Sequence, residues 1–225
     1  MLSTDLPLQS AAVEFRTKEE FVAEYLREGI LSGRLARGAR LKQADVAEQL
    51  NLSITPVREA FRILEAEGYV LSETHRGVIV APFDASATHE INELRLMLES
   101  KLALAAMEHI TPADYAALAA LQDEFDQAEA RGDREAVRAI NYRFHRHLYS
   151  VAQLPQTLHF VQVLWAKYPF DLINLIGGRP GRAAAEHRRL LEAMQAGDKK
   201  AVVAALREHI DTGWRELQTH IDKPK

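Results

Sequence analysis

Between residues 43 and 68 the apolar positions fall at helical spacing in two short blocks. Val46, Ala47 and Leu50 make one face of a helix over 45–50, and Val57, Ala60, Phe61 and Leu64 make a stripe on a second helix that opens near Ile54. Asn51-Leu52-Ser53 interrupts them: Asn tolerates the left-handed conformation that ends a helix, and Ser53 is suited to cap the next one. Pro56 fits a first turn and Gly68 a C-terminus. Two short helices joined by about three residues, packed through Ala47, Leu50 and Val57, form a helix-turn-helix. The pattern then changes. Residues 69–71 and 78–80 are β-prone runs joined by the polar segment Ser72 to Gly77, which adds a hairpin and makes the unit a winged helix.

Upstream, Phe21, Val22, Tyr25, Leu26 and Ile30 form one side of an amphipathic helix over 18–32, ended by Gly33, while residues 1–15 read as a flexible arm. Ala81-Pro82-Phe83 closes the first domain, at 16–82, because proline cannot continue a strand ladder. From residue 83 to 225 strand-like alternation disappears. The periodicity predicts six helices, over 86–109, 112–130, 133–152, 155–177, 182–196 and 198–221. The expected fold is mainly α: a winged helix-turn-helix with a small hairpin, followed by an all-α six-helix bundle. Bundles of this kind place ligand sites between facing helices.

The exposed side of the second short helix carries Ser53, Thr55, Arg58, Glu59 and Arg62, short hydroxyls and arginines suited to phosphate and base edges. An ordinary solvated helical pair is the alternative. Charge narrows the choice. The whole chain carries a net −4, and residues 16–82 hold ten Lys/Arg against ten Asp/Glu, so nucleic acid could be met only by a local footprint. Residues 34–42 supply four cations and no carboxylate, with Arg34 and Lys42 at its ends. Such a run is a solvated loop unless the fold brings it beside the helix.

The run LSITPVREAFRILEAEGYV, followed by HRGVIV, resembles the DNA-binding domain of the GntR family of bacterial transcription regulators. The resemblance spans 16–82 and implies that Ser53, Thr55 and Arg58 meet operator DNA, with His75, Arg76 and Gly77 in a wing beside the minor groove. Two positions depart from it: Ala44 and Ile54 stand where the family usually carries arginine. The departures imply an operator preference different from the family's usual one.

Three of nine histidines stand apart in the second half. His145 follows Asn141 by one helical turn on the face of Val137 and Leu148; His187 shares a face with Leu191 and Met194, and His209 with Val202 and Leu206. His187 lies ten residues before Gly197 and His209 twelve after it. In an antiparallel hairpin turning there, both sit about 15–18 Å from the turn, level with each other. Each could be a core histidine satisfied by a hydroxyl or carbonyl. As a set, three imidazoles with Asn141 as a fourth, oxygen ligand suit a divalent ion such as Zn²⁺ or Ni²⁺. INELRLMLE, NYRFH, EHRRLLEAM and the late HI at 209–210 resemble the FCD effector domain of one GntR subfamily. That resemblance implies a divalent metal held by a D-x3-H pair and two later histidines. Here the pair is Asn141 and His145, and an amide lacks the charge of a carboxylate. Arg95 is the candidate anchor for a small carboxylic acid, or else an ion-pair partner of Glu99 one turn later.

The absence of cysteine excludes disulfides and thiolate metal sites. The first 15 residues lack a secretion signal and no run approaches about 20 apolar residues, so no membrane partner is expected and the cytoplasm is the expected compartment. The function expected is a homodimeric, ligand-responsive repressor of double-stranded operator DNA. The alternative is a metal-dependent enzyme using the three histidines. That reading needs a general base at the metal, and no carboxylate shares the faces of these histidines: Glu186 and Glu208 project about 100° from the adjoining histidines on an ideal helix.

Overall fold

The apolar stripe of residues 54–67 forms the helix it predicts. The structure, a computed structural model, describes residues 17–74, 77–173 and 176–221. Helices α1 (Lys18–Leu31), α2 (Gln43–Gln49) and α3 (Ile54–Glu67) pack around Val22, Leu26, Val57, Ala60, Phe61 and Leu64, all buried. Full burial of a residue of this kind contributes about 1.5–3 kcal/mol. Asn51 takes φ +52° in the turn between α2 and α3, and Gly68 ends α3 in the left-handed region, both conformations that suit those residue types. Ser53 occupies the N-cap of α3, but its hydroxyl makes no capping bond.

Strands β2 (Val70–Glu73) and β3 (Gly77–Val80) pair antiparallel with Val70 opposite Val80 and Leu71 opposite Ile79. A third strand, β1 (Arg40–Leu41), adds to the other side of β3 with Arg40 opposite Ile79. This strand was not anticipated: two residues carry too little alternation to be read, and it is fixed by pairing. The segment 34–42 is therefore anchored at its end against the wing.

After a 3-10 turn at Ala85–Ala87 the chain is helical: α4 (Thr88–His109), α5 (Pro112–Ala130), α6 (Arg134–Ser150), α7 (Pro155–Lys167), α8 (Phe170–Ile173), α9 (Arg179–Gln195) and α10 (Lys199–Ile221). The Thr111 and Asp114 capping box sets the start of α5. The expected six helices become seven among the described residues. The fourth breaks at Tyr168-Pro169, where Pro169 has no N–H to offer and pushes Tyr168 to an extended backbone, φ −91° and ψ 135°. No helix among the described residues is long and apolar enough to cross a membrane.

The winged helix and the helical region share one continuous apolar core, from Val22 and Leu26 through Leu102, Phe125 and Leu148 to Leu206. Polar contacts reinforce the junction. Tyr142 on α6 donates to Glu24 on α1 at 2.8 Å, Arg146 pairs with the same carboxylate, and the Tyr69 hydroxyl donates to the Gln162 carbonyl on α7 at 3.0 Å. Arg37 reaches from the α1–β1 connection to the α7–α8 corner. It donates to the Tyr168 carbonyl at 2.9 Å and to Asp171 at 3.1 Å.

Candidate functional site

The structure separates two surfaces, one exposed on α3 and one buried between α4, α6, α9 and α10. On α3, Ser53, Ile54, Thr55, Arg58 and Arg62 are exposed. Arg58 is exposed and makes no hydrogen bond or ion pair with the other described residues. Arg62 is held by Glu59 at 2.9 Å on the open surface, a weak contact that a phosphate can displace. The uncapped first turn of α3 leaves backbone N–H groups pointing outward, where anions are favoured.

The run 34–42 divides by role. Lys42 is exposed beside Asp45, but Arg34 turns inward, donating to the Tyr25 hydroxyl and carbonyl at 3.1 and 3.2 Å and stacking over its ring. Arg37 is spent on the α7–α8 corner. Arg40, exposed on β1, lies beside the wing, since a Cβ at Gly77 would meet its guanidinium at 3.7 Å. Sequence reasoning singled out Arg34 and passed over Arg40, because only the β1–β3 pairing shows which cation reaches the wing. Gly77 takes φ +76° at the start of β3. His75 and Arg76 lie outside the described residues.

In the helical region His145 on α6, His187 on α9 and His209 on α10 come together, with one nitrogen from each within 4.8 Å of the others. The predicted level pairing of His187 and His209 across the α9–α10 hairpin holds, with ring centroids 4.8 Å apart. All three are buried. Their outer nitrogens have partners: His209 Nδ1 meets Glu186 Oε2 at 2.7 Å, His187 Nδ1 meets Gln122 Oε1 at 3.0 Å, and His145 Nδ1 lies 3.4 Å from the Tyr149 hydroxyl. A carboxylate and an amide oxygen accept, so His209 and His187 carry their hydrogens on Nδ1 and direct Nε2 lone pairs inward.

The inner nitrogens lack a comparable complement. His187 Nε2 is buried with no hydrogen-bond partner, and His145 Nε2 faces His209 Nε2 at 3.1 Å. Burial lowers the pKa of all three, His145 to about 4, and the neighbouring imidazoles and Arg179 push His187 and His209 the same way. They are neutral at neutral pH, the form that binds metal. Converging imidazole nitrogens, one of them orphaned, with outer N–H groups braced by protein, fit a divalent ion.

Glu186 corrects the expectation that no carboxylate belongs to these faces. It does project away from His187 on its own helix, but it is buried and reaches His209 on the neighbouring one, where Arg179 holds it at 2.8 Å. Spacing along a single helix could not reveal a partner supplied across a helix pair. Gln122 was missed for the same reason. Beside the histidines is a cavity of about 30 Å³, room for about two waters, lined by Arg95, Glu99, Arg138, Asn141, His145 and His209 among others. Asn141 makes no hydrogen bond with the other described residues. Arg95 is buried and donates to Glu99 at 2.7 Å while stacking on Tyr168 and Phe170. Glu99 also accepts from Tyr149 and Trp165.

Comparison with known proteins decides what this pairing of surfaces belongs to. The FCD domain profile matches residues 90–212 and the profile of bacterial regulatory proteins of the gntR family matches 18–80. The chain belongs to the GntR family, with an FCD domain. It is 31% identical to the HTH-type transcriptional regulator McbR of Escherichia coli K12 over 189 residues, 81% of this chain and 85% of McbR. A "Probable D-xylose utilization operon transcriptional repressor" from Paenarthrobacter nicotinovorans is 30% identical over 84% of each chain. The solved structure of E. coli McbR/YncC superposes with a TM-score of 0.77 at 28% identity, covering 92% of this chain and all of that one. This GntR-family chain is thus a DNA-binding transcription regulator, and the metalloenzyme alternative is set aside: the matching families and relatives are regulators.

Proposed function

We propose that this GntR regulator is a homodimeric repressor whose hold on double-stranded operator DNA responds to a small carboxylic acid, bound in the helical domain with a divalent metal. The observation that carries the reading is the inward convergence of three neutral imidazoles, two of them braced through Nδ1 by Glu186 and Gln122. His145, His187 and His209 would hold the ion, Zn²⁺ or Ni²⁺ best suiting an imidazole set. Asn141 would add a weak oxygen ligand. Such an ion supplies a positive centre for an organic anion, and Arg95, paired with Glu99, lines the cavity beside it as the proposed effector contact. The cavity's small size favours a short acid or one that displaces the lining.

Ser53, Thr55, Arg58 and Arg62 of α3, Lys42, and His75, Arg76 and Gly77 of the wing form the proposed DNA footprint, with Arg34 placed behind it on Tyr25. Ile54, exposed beside Thr55, replaces a cation the family usually carries there, which supports a distinct operator preference. Two winged helices are needed to read two half-sites. Leu94, Met97 and Leu104 form an exposed apolar stripe along α4, which supports pairing of two copies in that region. The proposed site of action is the cytoplasm, with the DNA.

Unbiased operator selection with the purified chain, with and without Zn²⁺ or Ni²⁺, tests the reading. It predicts an enriched sequence with two half-sites, and recovery that depends on metal. No enrichment, or enrichment indifferent to metal, would count against it. On the selected operator Arg58→Ala should weaken binding by about 1–3 kcal/mol, the range for one good base or phosphate contact. Glu192→Ala, exposed on α9, should leave it unchanged. Fluorescence anisotropy with labelled operator reads both.

A further inference from the structure

The cavity beside the histidines is not walled by the helical domain alone. Leu31, the last residue of α1 in the winged helix, lines it together with Arg138 of α6. Arg138 Nε donates to the carbonyl of Ser32, the C-cap of α1, and so satisfies one of the acceptors that a helix end leaves open. The guanidinium lies over Gly33, where an added Cβ would meet Arg138 Nη2 at 3.3 Å. One side chain therefore touches both the ligand cavity and the C-terminal end of a DNA-domain helix.

Charge at the cavity is unequal. Arg95 is neutralised by Glu99 at 2.7 Å, and the three imidazoles are uncharged. Arg138 has no carboxylate at ion-pair distance among the described residues. The cavity thus presents one guanidinium without a directly paired carboxylate, Asp171 and Glu135 acting on it only at longer range, and it is matched to a single carboxylate.

We propose that Arg138 is the anion anchor of the cavity, and that an anion taking its fork releases the Ser32 carbonyl and loosens the seat of α1. A bidentate carboxylate uses Nε as well as Nη, so it competes for the donor that Ser32 holds. A bidentate carboxylate adds a second parallel bond and an opposite charge to what a single bond to the Ser32 carbonyl provides, so the carboxylate wins the guanidinium. Freed of this tie, α1 and the winged helix are less fixed in orientation, and operator binding must supply the ordering that the docked state already has. The anion arm rests on the effector-site reading above. The coupling between Arg138 and α1 does not, and it can be read without ligand.

The test uses the full chain with Arg138→Met, which keeps the apolar stem, and Arg138→Lys, which keeps the charge without the fork. Far-UV circular dichroism confirms folding of each. Hydrogen exchange at residues 29–35, operator affinity, and the melting shift produced by Zn²⁺ are then measured. Arg138→Met should exchange faster at 29–35 and bind the operator about fivefold or more weakly, with Arg138→Lys between it and wild type and the Zn²⁺ shift unchanged in both. Added acetate should weaken operator binding by Zn²⁺-loaded wild type and leave Arg138→Met unaffected. Unchanged exchange and operator affinity in Arg138→Met would overturn the coupling. An acetate response in that variant equal to wild type would overturn the anchor. A wild type without a Zn²⁺ shift would remove the metal reading alone, and exchange at 29–35 would still decide the coupling.

Discussion

Replacing Glu67 with alanine should lower the unfolding free energy by about 3–5 kcal/mol, a loss larger than any single DNA contact contributes. Glu67 is the last residue of α3 and Arg27 lies on α1. The two meet through paired bonds of 2.7 Å each, with both residues buried. Burial works against the Arg27 charge, and Glu67, with Tyr142 and Glu24, more than restores it, so the guanidinium titrates above its ordinary range. Removing the carboxylate leaves a buried cation with only Glu24, at 3.1 Å, to answer it. Exchanging both partners for apolar residues, Arg27→Met with Glu67→Leu, removes the charge along with its partner and should recover most of the loss. Urea unfolding followed by circular dichroism checks both variants. A cost under about 1 kcal/mol for Glu67→Ala would show that water reaches the pair.

Metal-free protein should lose stability steeply as the pH falls from about 6.5 toward 4. The folded chain holds His145 at about 4, and His187 and His209 also well below the ordinary imidazole range, while the unfolded chain titrates near 6.5. Between those values the unfolded state takes up protons that the folded state refuses, so the equilibrium moves toward unfolding. Above about 6.5 the difference vanishes, and below 4 the His145 contribution is constant. For His145 alone the change is on the order of 3 kcal/mol. Arg95 and Arg179 face the histidines and reinforce the effect, while Glu99 and Glu186 oppose it at His145. Glu186 also offsets part of the loss directly, because burial raises its own pKa and it gains a proton more readily when folded. Thermal melts in chelator across pH 4–8 read this out. In His145→Gln the slope should be shallower by about one proton. A flat profile would mean that the imidazoles are solvated.

Much of this was readable along the chain, for identifiable reasons. The α3 stripe and the polar face opposite it are local patterns, and so is the turn at Gly197 that sets His187 level with His209. What escaped depended on contacts between elements. Strand β1 exists through its register with β3, and Arg37 reads as one cation in a basic run until the α7–α8 corner is seen to accept it. Pro169 did carry a local signal, since its ring and missing N–H end α7, but the apolar residues on both sides looked like one continuous helix. Glu186 and Gln122 brace histidines from facing helices, and no spacing on one helix encodes that. Arg95 pairs with Glu99 one turn later, as their spacing allows, but the pair is buried in the core beside the cavity.

Thermal melting with added metal decides whether His145, His187 and His209 together hold one divalent ion. A metal that binds the folded state alone stabilises by RT ln(1 + [L]/Kd), about 4 kcal/mol at a thousandfold excess over Kd. After chelator treatment and dialysis, Zn²⁺ or Ni²⁺ should raise the melting temperature of the wild type in a concentration-dependent way. The shift should shrink in His187→Ala and His209→Ala and grow in Asn141→Asp, which adds a charged ligand. A wild type whose melting temperature ignores both ions would leave three core histidines without a metal, and the site proposed for them would be wrong.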